Sequence, residues 1–153
     1  MMNRIDRIKL AIDKGITCNP ETGEVFGVKG NVISTKDKKG RILIGIRGEG
    51  GRRIEIKAHQ FIWYWVNSEI VDRIDHINRN PSDNRISNLR LLTNSENIAN
   101  NGAKGYYYWK SRNKYVAQIM INYKKIHLGV FDNEYEAKKA YIEAKKIHFP
   151  KIV

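Results

Sequence analysis

Ile5, Ile8 and Ile12 recur at helical spacing, and the apolar period then changes. Asn3 is positioned to cap that first helix, and Gly15 suits a left-handed stop, so a short helix is predicted between them. Beyond it, Asn19-Pro20-Glu21-Thr22-Gly23 carries turn chemistry and leads into alternating Val25 and Phe26. The stretches NVIST, RILIGIR and RRIEIKAHQF read as further strands, separated by the Gly- and Lys-rich links KDKKG and GEGG. The segment 16–60 is therefore predicted to be an antiparallel meander.

Phe61 to Val66 form a continuous apolar run in which helix and strand remain equally open, because periodicity cannot separate them. Core packing is the expected role of Trp63 and Trp65. Val71 to Ile77 reads as a short strand, Arg79 to Asn84 as a loop, and Asn88 to Leu92 as a returning strand. Thr93 and Glu96 make a capping box, which starts a helix and puts Asn97 within its first two turns. Asn101 to Gly105 is the best candidate linker. After it come three short strands with turns at SRNK and NYKK. A last helix opens at Asp132-Asn133, carries Ala137, Ala140, Tyr141, Ala144 and His148 at helical spacing, and stops at Pro150. The expectation is an α+β chain in two parts, 1–101 and 102–153.

Charge narrows the partner. Lys and Arg outnumber Asp and Glu by 28 to 16, giving +12 and a pI near 9.8, a balance that favours a polyanion. Cys18 is the single cysteine, which excludes an internal disulfide and a four-cysteine zinc cluster. No apolar run approaches the about 20 residues of a membrane span. MMNRIDRIKLAIDKG lacks the continuous apolar stretch of a signal peptide, so a cytoplasmic protein with no membrane partner is expected. No obligatory protein partner is implied.

The candidate chemistry lies in DHINRNPSDNRISNLRLLTNSEN. Hydrolysis of a phosphodiester needs a group that activates water, positive charge at the pentacoordinate phosphorus, and help for the departing oxygen. A neutral His takes a proton from water near pH 7. Mg²⁺ prefers oxygen ligands and keeps several waters, so one Asp and one Asn oxygen suffice when phosphate completes the shell. Asp75 and His76 are adjacent, so on a strand they point to opposite faces; they share a site only if the strand ends or bends there. Asp83 and Asn84 could also approach the metal, but turn roles are expected for both.

VDRIDHINRNPSDNRISNLRLLTNSENIANN resembles the HNH nucleases, in the branch that includes phage and intron homing endonucleases. The resemblance covers 59–101 and implies a ββα-metal hairpin-helix after a β-rich lead. It makes Asp75 a metal ligand, His76 the general base and Asn97 the second protein ligand to a divalent ion, most simply Mg²⁺, with Mn²⁺ as the alternative. Asn88 would tie the hairpin loop together through backbone hydrogen bonds. His59 matches an upstream His of the family, with a structural or phosphate-contacting role. The implied activity is cleavage of duplex DNA, by nicking or double-strand cutting, in a phage-encoded homing-type enzyme. The rival reading is a DNA-binding regulator with a vestigial nuclease site.

The segment from Lys104 to Tyr141 resembles the AP2 domain, through Lys104-Gly105-Tyr106, Ala117-Gln118-Ile119, Ile126 to Asp132 and the helix residues Glu136-Ala137 and Ala140-Tyr141. That resemblance implies a three-stranded sheet in the major groove with a helix behind it. Lys104, Tyr107, Lys125 and His127 occupy matching positions, and Met120 replaces an expected basic residue. Lys110 and Arg112 add phosphate-contacting charge, and Gln118 can read a base edge.

Overall fold

The computed structural model describes residues 2–152. Helix α1 spans Arg4–Asp13, and its start is set locally: the Asn3 side chain accepts from the Asp6 N–H at 2.9 Å. Gly15 follows at φ 85°, a left-handed conformation that suits a residue without a Cβ. Ile8 and Ala11, one helical turn apart, are fully buried.

The expected meander is instead two separate antiparallel ribbons. Strand β1 (Thr17–Asn19) pairs with β2 (Glu24–Phe26), and β3 (Leu43–Arg47) pairs with β4 (Arg53–Lys57). NVIST, expected as a strand, carries only the isolated bridge Phe26↔Val32. Ile33 is its one residue packed against the core, too little burial to order a full ladder. The KDKKG link closes as a turn in which the Asp37 carboxylate accepts from the N–H groups of Lys39 and Arg41.

The ambiguous apolar run is helical. α2 spans Ala58–Asn67, burying Ala58, Phe61 and Ile62 at spacings of three and four. Ser68 ends it in the left-handed region at φ 54°. Trp63 packs partly against the core, whereas Trp65 is exposed and rests its ring on Phe61. The first core gathers Ile8, Val25, Ile44, Phe61, Ile62 and Leu89. A short antiparallel ribbon, β5 (Ile74–His76) with β6 (Leu89–Leu91), completes this part.

The chain divides into two compact units, Met1–Leu91 and Leu92–Val153. The division lies ahead of the 101/102 boundary expected from sequence, because Leu92 and Ala99 join the core of the second unit. In that unit α3 (Asn94–Asn100) starts at a complete capping box. Thr93 Oγ1 accepts from the Glu96 N–H, and the Glu96 carboxylate accepts from the Thr93 N–H at 2.7 Å. A three-stranded antiparallel sheet follows, in the order β7 (Tyr106–Trp109), β8 (Lys114–Ile121), β9 (Lys124–Phe131). Asn122 and Tyr123, both at positive φ, make the tight β8–β9 turn. Helix α4 (Glu134–His148) is capped by Asn133, whose side chain accepts from the Glu136 N–H. It buries Ala137, Tyr141 and Ala144, while His148 is exposed. Among the described residues no helix is long and apolar enough to cross a membrane.

Candidate active site

The β5–β6 ribbon sets the register Asp75↔Arg90 and His76↔Leu89. Arg90 reaches across to its partner strand, donating from Nε at 2.9 Å and from Nη2 at 2.8 Å, both to Asp75 Oδ2. The pair is mostly shielded, with side chains 19% and 22% exposed. Strand β5 ends at His76, and the chain turns at once: the Arg79 N–H donates to the His76 carbonyl, with Arg79 itself at φ 60°. Asp75 and His76 are thus the last two residues of the strand, each paired across the ribbon.

The loop between the strands is held by its own amides. Asn88 is buried. Its Oδ1 accepts from the Asn78 N–H at 3.0 Å, and its Nδ2 donates to Asn78 Oδ1 and to the Asp83 carbonyl at 2.7 Å. The Arg85 guanidinium and the Asn78 amide hold the Asp83 carboxyl down to about 2. Asn84, read from sequence as a turn residue, is 1% exposed and places its Oδ1 3.1 Å from His76 Nε2. Only the richness of this loop in Asn hinted at that role, since the contact depends on how the loop folds back.

His59, near the start of α2, is also buried, and its Nδ1 has no hydrogen-bond partner. Its ring stands edge-on to His76, with centroids 5.3 Å apart and an interplanar angle of 85°. Burial, then the neighbouring His76, Lys57 and Arg41, push its pKa down to about 3. His59 is therefore neutral at physiological pH and presents no competing cation to His76.

Residues 57–99 match the family model described as HNH endonuclease. The chain carries an HNH endonuclease domain. The protein is thus a nuclease, and the matched segment runs through β5, the amide-locked loop, β6 and into α3. No curated protein matches the chain. A solved structure of the HNH homing endonuclease I-HmuI, from work on its DNA binding and cleavage, is 21% identical, covers 73% of this chain and 70% of its own, and has a TM-score of 0.48.

Within the HNH segment, Asp75 offers hard oxygen donors for a metal. The Asp75 carboxylate is partly accessible and is oriented by Arg90. Among the described residues no three His, Cys, Asp or Glu side chains gather into a cluster. The Asp75 oxygens suit a divalent ion that keeps waters and takes phosphate oxygens. Asn97 lies on α3, in the second unit, where its N–H donates to the Thr93 carbonyl.

The candidate DNA-contacting residues of the second unit lie on or beside the sheet. Gln118 pairs with His127 and Met120 with Lys125 across β8 and β9, so these four share a face. Ile119 points the other way into the core with Tyr141. Lys104, Tyr107, Gln118 and Lys125 border one shallow hollow of ≈ 290 Å³. Lys104, Tyr107, Lys125 and His127 are exposed, and Gln118 is half-buried. Lys110 and Arg112 sit in the turn after β7, with the Arg112 guanidinium 4.3 Å from the Trp109 ring centroid.

Proposed function

We propose that this HNH nuclease is a metal-dependent endonuclease that hydrolyses duplex DNA. The observation that supports it most is the end of β5, where consecutive residues supply a pinned carboxylate, Asp75, and a buried, hydrogen-bonded imidazole, His76, ahead of an amide-locked loop. His76 takes a proton from the attacking water as its oxygen bonds to phosphorus. The bond from phosphorus to the 3′ oxygen breaks, and that oxygen is protonated from solvent, which leaves 5′-phosphate and 3′-hydroxyl ends. Asp75 would hold a divalent ion, Mg²⁺ or Mn²⁺, whose charge would support the departing oxygen, and Asn97 is the second ligand that the family resemblance implies. Arg90 orients the Asp75 carboxylate, and Asn88 keeps the loop closed. One such site cuts one strand, so nicking is the expected elementary event.

Residues 102–153 serve in this reading as an AP2-like gripping part, and 1–101 as the cutting part. The net charge of +12 supports a polyanionic partner. The exposed face carrying Lys125 and His127 supports groove contact, with Tyr107 beside it and Lys110 and Arg112 toward the phosphates. The phage homing-type assignment rests on the resemblance of the HNH segment together with this appended part.

Incubating supercoiled plasmid with the protein and Mg²⁺ or Mn²⁺ tests the reading. Nicked circles are expected, none with His76→Ala, and none when the metal is chelated. Absence of product with both metals favours the DNA-binding regulator, and cleavage that survives chelation removes the metal from the mechanism.

A further inference from the structure

A neutral imidazole carries one N–H and one lone pair, and catalysis by His76 depends on which nitrogen keeps the lone pair. The assignment rests on the endonuclease reading above. Asn84 Nδ2 donates to the Ser82 carbonyl at 3.4 Å, and a carbonyl can only accept. The amide is thereby oriented with Oδ1 toward His76 Nε2, 3.1 Å away. Oδ1 is also only an acceptor, so Nε2 must carry the hydrogen. We propose that Asn84 is a positioning residue that holds His76 as the Nε2–H tautomer and leaves Nδ1 as the nitrogen that takes the proton from water.

Burial makes the contact selective. Asn84 is 1% exposed, so an unmade hydrogen bond there would be costly. Its backbone is clamped from two sides. On one side Asn88 Nδ2 holds the Asp83 carbonyl. On the other, the β1–β2 turn lies against it: the Ile86 N–H donates to the Pro20 carbonyl at 2.8 Å, and a Cβ on Gly23 would fall 2.6 Å from the Asn84 carbonyl carbon. The His59 ring packs edge-on against His76 and opposes a flip of the imidazole. The N-terminal hairpin thus supports His76 through Asn84.

Long-range ¹H–¹⁵N correlation on the full chain with labelled histidine reads the tautomer directly, with His76→Ala assigning the signal. The wild type is expected to show a protonated Nε2 and an unprotonated Nδ1. Asn84→Ala should mix the tautomers and lower kcat about 10–100-fold, the usual loss when a partner orienting a histidine is removed, while KM for DNA moves less than about twofold. Asn84→Asp retains an acceptor, so it should keep the Nε2–H pattern and recover most of kcat. If Asn84→Ala does not fold, the wild-type and Asn84→Asp spectra decide. A wild-type Nδ1–H signal overturns the proposal, as does a fall in kcat in Asn84→Ala with the Nε2–H pattern unchanged. The spectrum needs no cleavage, so failure of the endonuclease reading would show separately, as wild-type protein that nicks no plasmid with Mg²⁺ or Mn²⁺.

Discussion

Arg90 meets Asp75 Oδ2 with two nitrogens, Nε at 2.9 Å and Nη2 at 2.8 Å, across the register of the β5–β6 ribbon. A planar guanidinium fixes the plane of the carboxylate in a way a single ammonium cannot. Arg90→Ala should therefore cost the endonuclease about 10–100-fold in turnover at saturating metal, as expected when a partner orienting a ligand is lost. Arg90→Lys should fall between, since it keeps charge without the fork. Rates of plasmid nicking across a Mg²⁺ titration check this; unchanged turnover in Arg90→Ala would show that the carboxylate needs no fixed orientation.

Gly23 sets a second expectation. It sits at φ 75°, and an added Cβ would come within 2.4 Å of the Arg85 backbone nitrogen. Strain and clash act together, so Gly23→Ala should destabilise the protein by about 1–3 kcal/mol. Because the same turn buttresses the loop carrying Asn84, cleavage at a temperature where the variant remains folded should fall as well. Urea unfolding and the nicking rate measured side by side separate the two effects.

The local parts of this architecture were legible in the chain, because each is decided within a few residues. Asn3, Thr93 and Asn133 cap the helices that the pattern predicts, since a cap needs only a side chain and an N–H three positions on. The turn at Asn122-Tyr123 follows the same logic. What the pattern left open depends on burial. The run from Phe61 to Val66 becomes a helix because one face, Ala58, Phe61 and Ile62, meets a core assembled from distant segments. NVIST fails as a strand for want of a partner ladder. The contact of Asn84 with His76 is not legible for the same reason: it is made by a loop closure that no local periodicity encodes.

Asp37 gives a pH dependence of known sign. Its carboxylate accepts from Arg41 Nε at 2.6 Å and from two backbone N–H groups. The Arg41 side-chain bond foremost draws its pKa from 3.8 down to about 2. A depressed acid stabilises the fold above its unfolded value and loses that contribution as pH falls through its folded value. Asp37→Asn keeps one acceptor oxygen and removes the charge, so it should be less stable than the wild type at neutral pH. The gap should close as pH drops from about 4 toward about 2, the interval between the ordinary and shifted values. Thermal unfolding of both proteins over that range checks it; a gap that stays constant would mean the charge is immaterial.

Lys125 and Gln118 border the same hollow on the second unit but should fail differently. An exposed lysine meets phosphate as a point charge and carries no information about the base, whereas an amide can pair with a base edge in two directions. Lys125→Ala should weaken binding on every duplex alike and reduce the slope of log affinity against log salt by about 1. Gln118→Ala should leave that slope intact and relax preference at one base position by about 1–3 kcal/mol. Fluorescence anisotropy on a panel of duplexes at several salt concentrations distinguishes these outcomes. If Lys125→Ala left both affinity and slope untouched, the face carrying Lys125 and His127 would not be the one that meets DNA, and the basic residues beyond β7, Lys110 and Arg112, would be the next to test.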